Sequence, residues 1–172
     1  MRSDYLISFK GLKLGEHHFD YEIDKKFFDS FTYDDYLDSK VYARVKLVKK
    51  PTLMELTFKI KGDVLVNCDV SGEEFHQPIE GDLEIIVKFG ESYNNDDDVI
   101  LILPHESHSL DIAQYIYETI ILSTPKKRIH PGVADGSLQS DVLNKLKEFQ
   151  RNNKSTKKDN IDPRWDKLKG LI

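Results

Sequence analysis

Four runs between residues 40 and 90 alternate apolar and polar side chains with a period of two. Val41, Ala43, Val45 and Leu47 share one face of the first. Met54, Leu56, Phe58 and Ile60 share one face of the second. Val64, Val66 and Cys68 do so in "DVLVNCDV", and Leu83, Ile85, Val87 and Phe89 in "GDLEIIVKF". Successive side chains of a strand point to opposite faces, so this spacing predicts strands with one dry side and one wet side. The first two are separated by "KKPT", with Pro51 outside the ladder. Connections this short predict antiparallel neighbours, because a parallel crossover needs about a dozen residues or more. A sheet that is apolar on one side only has to be covered on that side.

The flanking segments supply the cover and the edges. "DYLISF" reads as a short strand. Phe19, Tyr21 and Ile23 alternate with acidic residues and read as a half-buried strand. "KKFFDSFTYDDYLDSK" reads as a short helical turn or an aromatic-anchored loop, and "VILIL" (Val99 to Leu103) as a buried strand stopped by Pro104. In "LDIAQYIYETIILS", Ile112, Ile116 and Ile120 recur at i, i+4, i+8. This predicts a helix over the open face, capped by Ser109 and ended by Pro125. A second helix is expected from about Leu138 to Gln150, with Leu138, Val142, Leu146 and Phe149 as its stripe. The expected fold is α+β, an antiparallel β-sheet or partial barrel packed by C-terminal helices. Residues 1–150 are expected to form a single domain, 151–160 a polar basic linker, and 161–172 a short amphipathic helix.

Composition excludes little but removes several classes. Among 172 residues, 39% are hydrophobic and 32% charged, as in ordinary soluble domains. No apolar run approaches the roughly 20 residues of a membrane span. The first residues lack the pattern of a signal peptide, and a single cysteine allows no internal disulfide, so a cytoplasmic protein is expected. Charge is uneven along the chain. Residues 125–172 hold 12 Lys+Arg against 6 Asp+Glu, whereas residues 1–124 hold 13 against 24. The basic third can attract polyanions and the acidic part repels them, although lysine-rich solvated helices have the same composition.

Catalytic motifs are lacking. "GLKLG" (Gly11 to Gly15) has neither the Lys-Ser/Thr nor the helix that a phosphate-binding loop requires, and no serine nucleophile elbow occurs. His105 and His108 stand beside Pro104 without a second ligand type, and neighbouring His17 and His18 point to opposite faces of a strand. "DDD" at Asp96 to Asp98 lacks calcium-loop spacing. Cys68, on an apolar strand face, reads as a buried inert thiol. The chain is therefore not expected to be an enzyme; a hydrolase acting on RNA would need acidic residues of segments 16–39 and 91–98 gathered in a cleft.

The last segment, "NIDPRWDKLKGLI", follows the polar stretch "RNNKSTKKDN". Asp162 before Pro163 is a helix-start signature. Ile161, Trp165, Leu168 and Ile172 then fall at i, i+4, i+7, i+11. A helix of this length is marginal alone, since isolated helices below about 12–15 residues are unstable in water. It needs a docking surface: its own domain, a protein partner, or RNA.

"DPRWDKLKGL" resembles the C-terminal signature of the YceD family, the large ribosomal RNA subunit accumulation proteins of bacteria and plastids. "LDIAQYIYETIILSTPKKRIHPG" is similar to that family's helix and following connector, and "NCDVSGEEFHQPIEGDLEIIVKF" to its cysteine-bearing strand and the next. The resemblance extends over Val41 to Ile172. Several members carry C-x-x-C pairs suggestive of zinc. Here Ser71 stands where the second cysteine would be, and the connector offers only His130, so no metal and no cofactor are expected. The resemblance implies a non-enzymatic factor supporting 23S rRNA accumulation or processing and large-subunit assembly, with precursor rRNA or assembly proteins as partners. The alternative is a protein-binding adaptor whose C-terminal helix enters a partner's groove without RNA. Candidate binding residues are Lys126, Lys127, Arg128, Asp162, Pro163, Arg164, Trp165 and Leu168.

Overall fold

The computed structural model describes residues 2–138 and 140–155. The chain divides into two compact units, residues 1–67 with 74–128, and residues 68–73 with 129–172.

The first unit is built on a five-stranded sheet in the order β2-β3-β4-β5-β6. Its strands are β2 (Gly15–Ile23), β3 (Asp38–Lys49), β4 (Leu53–Asn67), β5 (Glu74–Gly90) and β6 (Ile100–Pro104). The first four form an antiparallel meander, with Val45 opposite Phe58 and Phe58 opposite Leu83. The sheet stays open. The expected dry face is observed: Val41, Ala43, Val45, Leu47, Met54, Leu56, Phe58 and Ile60 are all buried.

Three details differ from expectation. "LMELTFKIKG" and "DVLVN" form one continuous strand, β4, rather than two. Ile60 and Val64 both point inward, so the alternation passes through Gly62 without a slip in phase. A side chain at Gly62 would overlap the carbonyl of Lys40 and the Cα of Val41, so glycine permits this close approach of β3 and β4. Secondly, β6 runs parallel to β5, with Ile86 beside Ile100. The intervening loop itself travels back along β6, where Asn94 bridges Ile102 in antiparallel fashion, and this return permits the parallel pairing. Thirdly, the strand in "DYLISF" is only two residues long, β1 (Leu6–Ile7), because Asp4 and Tyr5 belong to a preceding 3-10 turn, Arg2–Tyr5.

The partner of β1 is β7 (Leu110–Asp111), which displaces the start of the following helix. That helix, α2 (Ala113–Ser123), has Ile112 at its N-cap, and its first N–H, that of Ala113, is accepted by the Asp111 carboxylate at 2.9 Å. Ser109 does not cap it, because the backbone of Leu110 and Asp111 is paired with β1. Ile112, Ile116 and Ile120 are fully buried, and α2 packs on the inner face of β4 and β5 as expected. At Gly81 on β5 an added methyl would overlap the Ser123 hydroxyl, which shows how closely the helix lies on the strand.

The aromatic segment forms α1 (Lys25–Asp29), capped by the Asp24 carboxylate. Phe27 and Phe28 are buried, Phe28 sits edge-on to Tyr36, and Phe31 stacks on Tyr117 of α2 at 4.4 Å. The turn out of α1 places Thr32 at φ 57°, a left-handed conformation unusual for a β-branched residue.

The second unit contains the turn Cys68–Glu73, the short helix α3 (Pro131–Ala134) and α4 (Asp141–Ser155). The Ser140 hydroxyl accepts the Val142 N–H at the start of α4. The helix begins later than Leu138 and extends to Ser155, into the stretch read as linker. Its expected stripe is not a buried one: Val142, Leu146 and Phe149 are exposed, while Leu143 is buried. Residues 161–172 lie outside the described residues.

Candidate functional site

The basic run Lys126–Arg128 emerges where α2 stops. The Thr124 backbone turns to an extended conformation and Pro125 bars further helix. The stop is held by side chains: the Ser123 hydroxyl donates to the Thr119 carbonyl at 2.6 Å and the Thr124 hydroxyl to the Ile120 carbonyl at 3.0 Å. Lys126 and Lys127 are exposed and Arg128 is half-buried. Burial raises the Tyr36 phenol pKa, while hydrogen bonds from Thr124 and Tyr33 and the charge of Arg128 act in the other direction. Cations beyond a helix C-terminus also complement the negative end of its dipole, a structural role that needs no ligand.

The outer face of the sheet is a feature that the sequence patterning left unassigned. It forms a concavity of about 920 Å³ lined by polar positions of β2 to β5. Register places the charges in rows. Asp20, Arg44, Lys59 and Asp82 stand side by side across four strands, and Glu22, Tyr42, Lys61 and Glu80 form the next row. The outer carboxylates serve the inner cations: Arg44 Nε lies 2.6 Å from Asp20 and Lys61 Nζ 3.6 Å from Glu80. Directly opposed cations such as Arg44 and Lys59 repel, and the flanking acids offset this. A polyanion meeting this face would find its lysines already bordered by carboxylates. The signal in sequence was the set of outward strand positions, but the rows exist only once register is known.

In the second unit, Cys68 lies in the turn that follows β4, not on a strand face as expected. Its Sγ accepts backbone N–H groups from His130 at 3.2 Å and Ser71 at 3.4 Å. The Gly72 N–H donates to the Cys68 carbonyl, with Gly72 at φ 77°, and the Ser71 hydroxyl accepts from the Glu73 N–H. Burial raises the thiol pKa, but the N–H groups of His130, Ser71 and Val70 with the Ser71 hydroxyl outweigh it and lower the thiol to about 7. The thiol is buried, as expected, and its sulfur accepts several donors.

His130 is engaged as a cap. Its Nδ1 accepts the Gly132 N–H at 2.9 Å, at the start of α3. Cys68, Ser71 and His130 thus join two distant segments by a sulfur-centred clasp. Among the described residues, no group of three or more His, Cys, Asp or Glu is placed to hold a metal ion. His76 pairs with Asp63 at 2.7 Å and His18 with Glu16 at 2.7 Å, each on the exposed face. His17 turns the other way and meets the Lys13 carbonyl.

Of the predicted binding residues, the structure describes Lys126, Lys127 and Arg128, and places them together at the end of α2. Asp162, Pro163, Arg164, Trp165 and Leu168 lie outside the described residues. No described helix is long and apolar enough to cross a membrane.

Comparison with curated proteins and with solved structures gives no match. The family model described as "Large ribosomal RNA subunit accumulation protein YceD" matches residues 56–172, from near the start of β4 through the Cys68 turn, both longer helices and the tail. With two thirds of its length so matched, the chain belongs to the YceD family of large ribosomal RNA subunit accumulation proteins.

Proposed function

We propose that this protein is a non-enzymatic, cytoplasmic factor of bacterial type that supports 23S rRNA accumulation and large ribosomal subunit assembly by binding precursor rRNA. Family membership carries the general role. The charge division supports the mode of action: the cations that could approach phosphates are concentrated after residue 124, whereas the sheet's outer lysines are bordered by acids. Lys126, Lys127 and Arg128 leave a rigid helix end, and Arg164 adds a further cation in the tail. Trp165 and Leu168, behind the Asp162-Pro163 start signature, add apolar side chains to this basic part of the sequence.

The test is RNA binding by the purified protein across a salt series. Each phosphate contact contributes a slope of about −0.9 in log affinity against log salt on duplex and about −0.7 on single strands. Replacing Lys126, Lys127 and Arg128 together by Gln is expected to weaken rRNA binding and flatten that slope. An unchanged affinity and slope would remove RNA contact from this segment. Partners retained after ribonuclease but lost on deletion of residues 160–172 would favour the protein-binding adaptor instead.

A further inference from the structure

The five-stranded sheet ends differently on its two sides. At β6 the free edge is met by the returning loop: Asn94 and Ile102, the middle residue of the strand, exchange backbone bonds of 3.0 and 2.8 Å. At β2 the only strand pairing among the described residues is with β3. That ladder runs unbroken through nine residues, from Gly15 opposite Lys49 to Ile23 opposite Val41, without a bulge. A strand of this length spans about 30 Å, and every second residue turns its N–H and C=O away from β3. Such a row of donors and acceptors is a template for another strand.

The dry layer thins at the same place. Leu47, Val45 and Ala43 of β3 are at most 1% exposed, whereas His17, Phe19 and Tyr21, directly opposite them on β2, are only half-buried. A further strand beside β2 would carry its inward side chains across these three. On the outer face β2 shows Glu16, His18, Asp20 and Glu22, all exposed. Asp20 meets Arg44 through Oδ1, and a carboxylate has acceptor capacity beyond one bond.

Charge selects the occupant. Edge strands are commonly blunted by proline, lysine or a bulge, and β2 has none of these. Its carboxylates guard it against itself. Antiparallel self-pairing centred on Phe19, the middle of the strand, sets Glu16 opposite Glu22, and like charges directly opposite repel. The same carboxylates attract cations. We propose that β2 is the docking edge for an extended basic segment of a partner protein. The segment adds to the sheet as a sixth strand, with Lys or Arg beside Glu16, Asp20 and Glu22 and apolar side chains over Phe19 and Tyr21. Backbone bonds hold it, and the alternation of its side chains selects it. None of these residues belongs to the basic run, so the proposal holds whether or not Lys126–Arg128 contact RNA.

The test is amide hydrogen exchange of the full-length protein, read residue by residue by NMR. The probes are end-blocked peptides of four Lys-Val, Glu-Val or Lys-Pro repeats. In the free, dilute protein, alternate amides of β2 are expected to exchange far faster than those of β4. The Lys-Val peptide is expected to slow them several-fold and leave β6 unchanged. The Glu-Val peptide, and the Lys-Pro peptide, which keeps the charge but lacks the proline N–H groups, are expected to leave β2 unprotected. Asp20→Lys combined with Glu22→Lys, both at exposed positions, is expected to reverse the preference between the Lys-Val and Glu-Val peptides. No protection of the parent by the Lys-Val peptide would overturn the proposal, as would equal protection by the Lys-Pro peptide, which marks charge attraction without strand addition. Amides of β2 as slow as those of β4 in the free protein would show an edge already covered and would also overturn it. Protection that grows with protein concentration alone assigns the edge to a second copy, and protection by an rRNA fragment but by no peptide assigns it to RNA. Either result defeats the basic segment as occupant.

Discussion

The Tyr36 hydroxyl lies 2.5 Å from the Thr124 hydroxyl, joining residues 88 positions apart in sequence. Tyr36 has no exposed surface, and Thr124 is the residue at which α2 ends. One bond thus ties the aromatic segment after α1 to the point from which the basic run departs. Tyr36→Phe is expected to cost about 1 kcal/mol, the ordinary net value of a hydrogen bond, because Thr124 keeps its bond to Ile120. Tyr36→Ala also removes the buried ring and is expected to cost about 3–5 kcal/mol. Urea midpoints of the two variants check this; equal losses would mean that the ring contributes nothing beyond its hydroxyl.

Two glycines in the sheet should respond differently to a methyl group. At Gly62 the methyl would meet backbone, the Lys40 carbonyl and Val41 Cα, which cannot move without opening the β3–β4 pairing. At Gly81 it would meet the Ser123 hydroxyl, a side chain able to rotate at the loss of its bond to Thr119. Overpacking costs about 1–3 kcal/mol. Gly62→Ala is expected at the top of that range or above and Gly81→Ala near the bottom. The reverse order in equilibrium unfolding would refute the close approach at Gly62.

Thr32 offers a substitution in the stabilising direction. Its φ of 57° places Cβ against the following carbonyl, and its side chain is exposed. Left-handed backbone costs an L-residue about 1–2 kcal/mol, part of which glycine returns as unfolded-state entropy. Thr32→Gly is therefore expected to raise stability by roughly 0.5–1 kcal/mol. A lower urea midpoint in the variant would count against the strained turn.

The Cys68 clasp predicts a pH dependence. The thiol ordinarily ionises at 9.0, and in the folded protein at about 7. A lowered native pKa means that the folded state releases its proton first as pH rises. The stabilisation from ionised Cys68 therefore grows from about pH 7 to pH 9, is complete above that, and is lost as pH falls through 7. The stability difference between parent and Cys68→Ser is expected to increase across that window. A difference that stays flat from pH 7 to pH 9 would show that the N–H groups of His130 and Ser71 do not stabilise a thiolate.

Much of the first unit was legible because strand faces are written locally. The period of two named Val41, Ala43, Val45 and Leu47 as inward whatever they would pair with, and the isoleucines of α2 announced a buried helix by spacing alone. The sequence was less informative wherever two readings of one segment were both locally sound. Leu110 and Asp111 could open a helix or pair as a strand, and only the presence of β1 chose. The stripe of α4 was visible as a pattern, but no pattern states whether a face is covered. The basic run could be located in sequence; its origin at a helix end held by Tyr36 could not.

By itself, the sequence determined which positions face the core, where Pro125 and Pro104 stop their elements, and how charge divides along the chain. It also carried the family signature in its last residues. Tertiary structure alone decided that β6 lies parallel to β5, that Arg44 and Lys59 stand between two carboxylates, and that Cys68 receives an N–H group from His130, 62 residues away. The division has a physical cause. Side-chain periodicity and backbone stops act over one or two turns of chain, whereas register, strand direction and the donors around a buried sulfur depend on which distant segments the whole fold brings together.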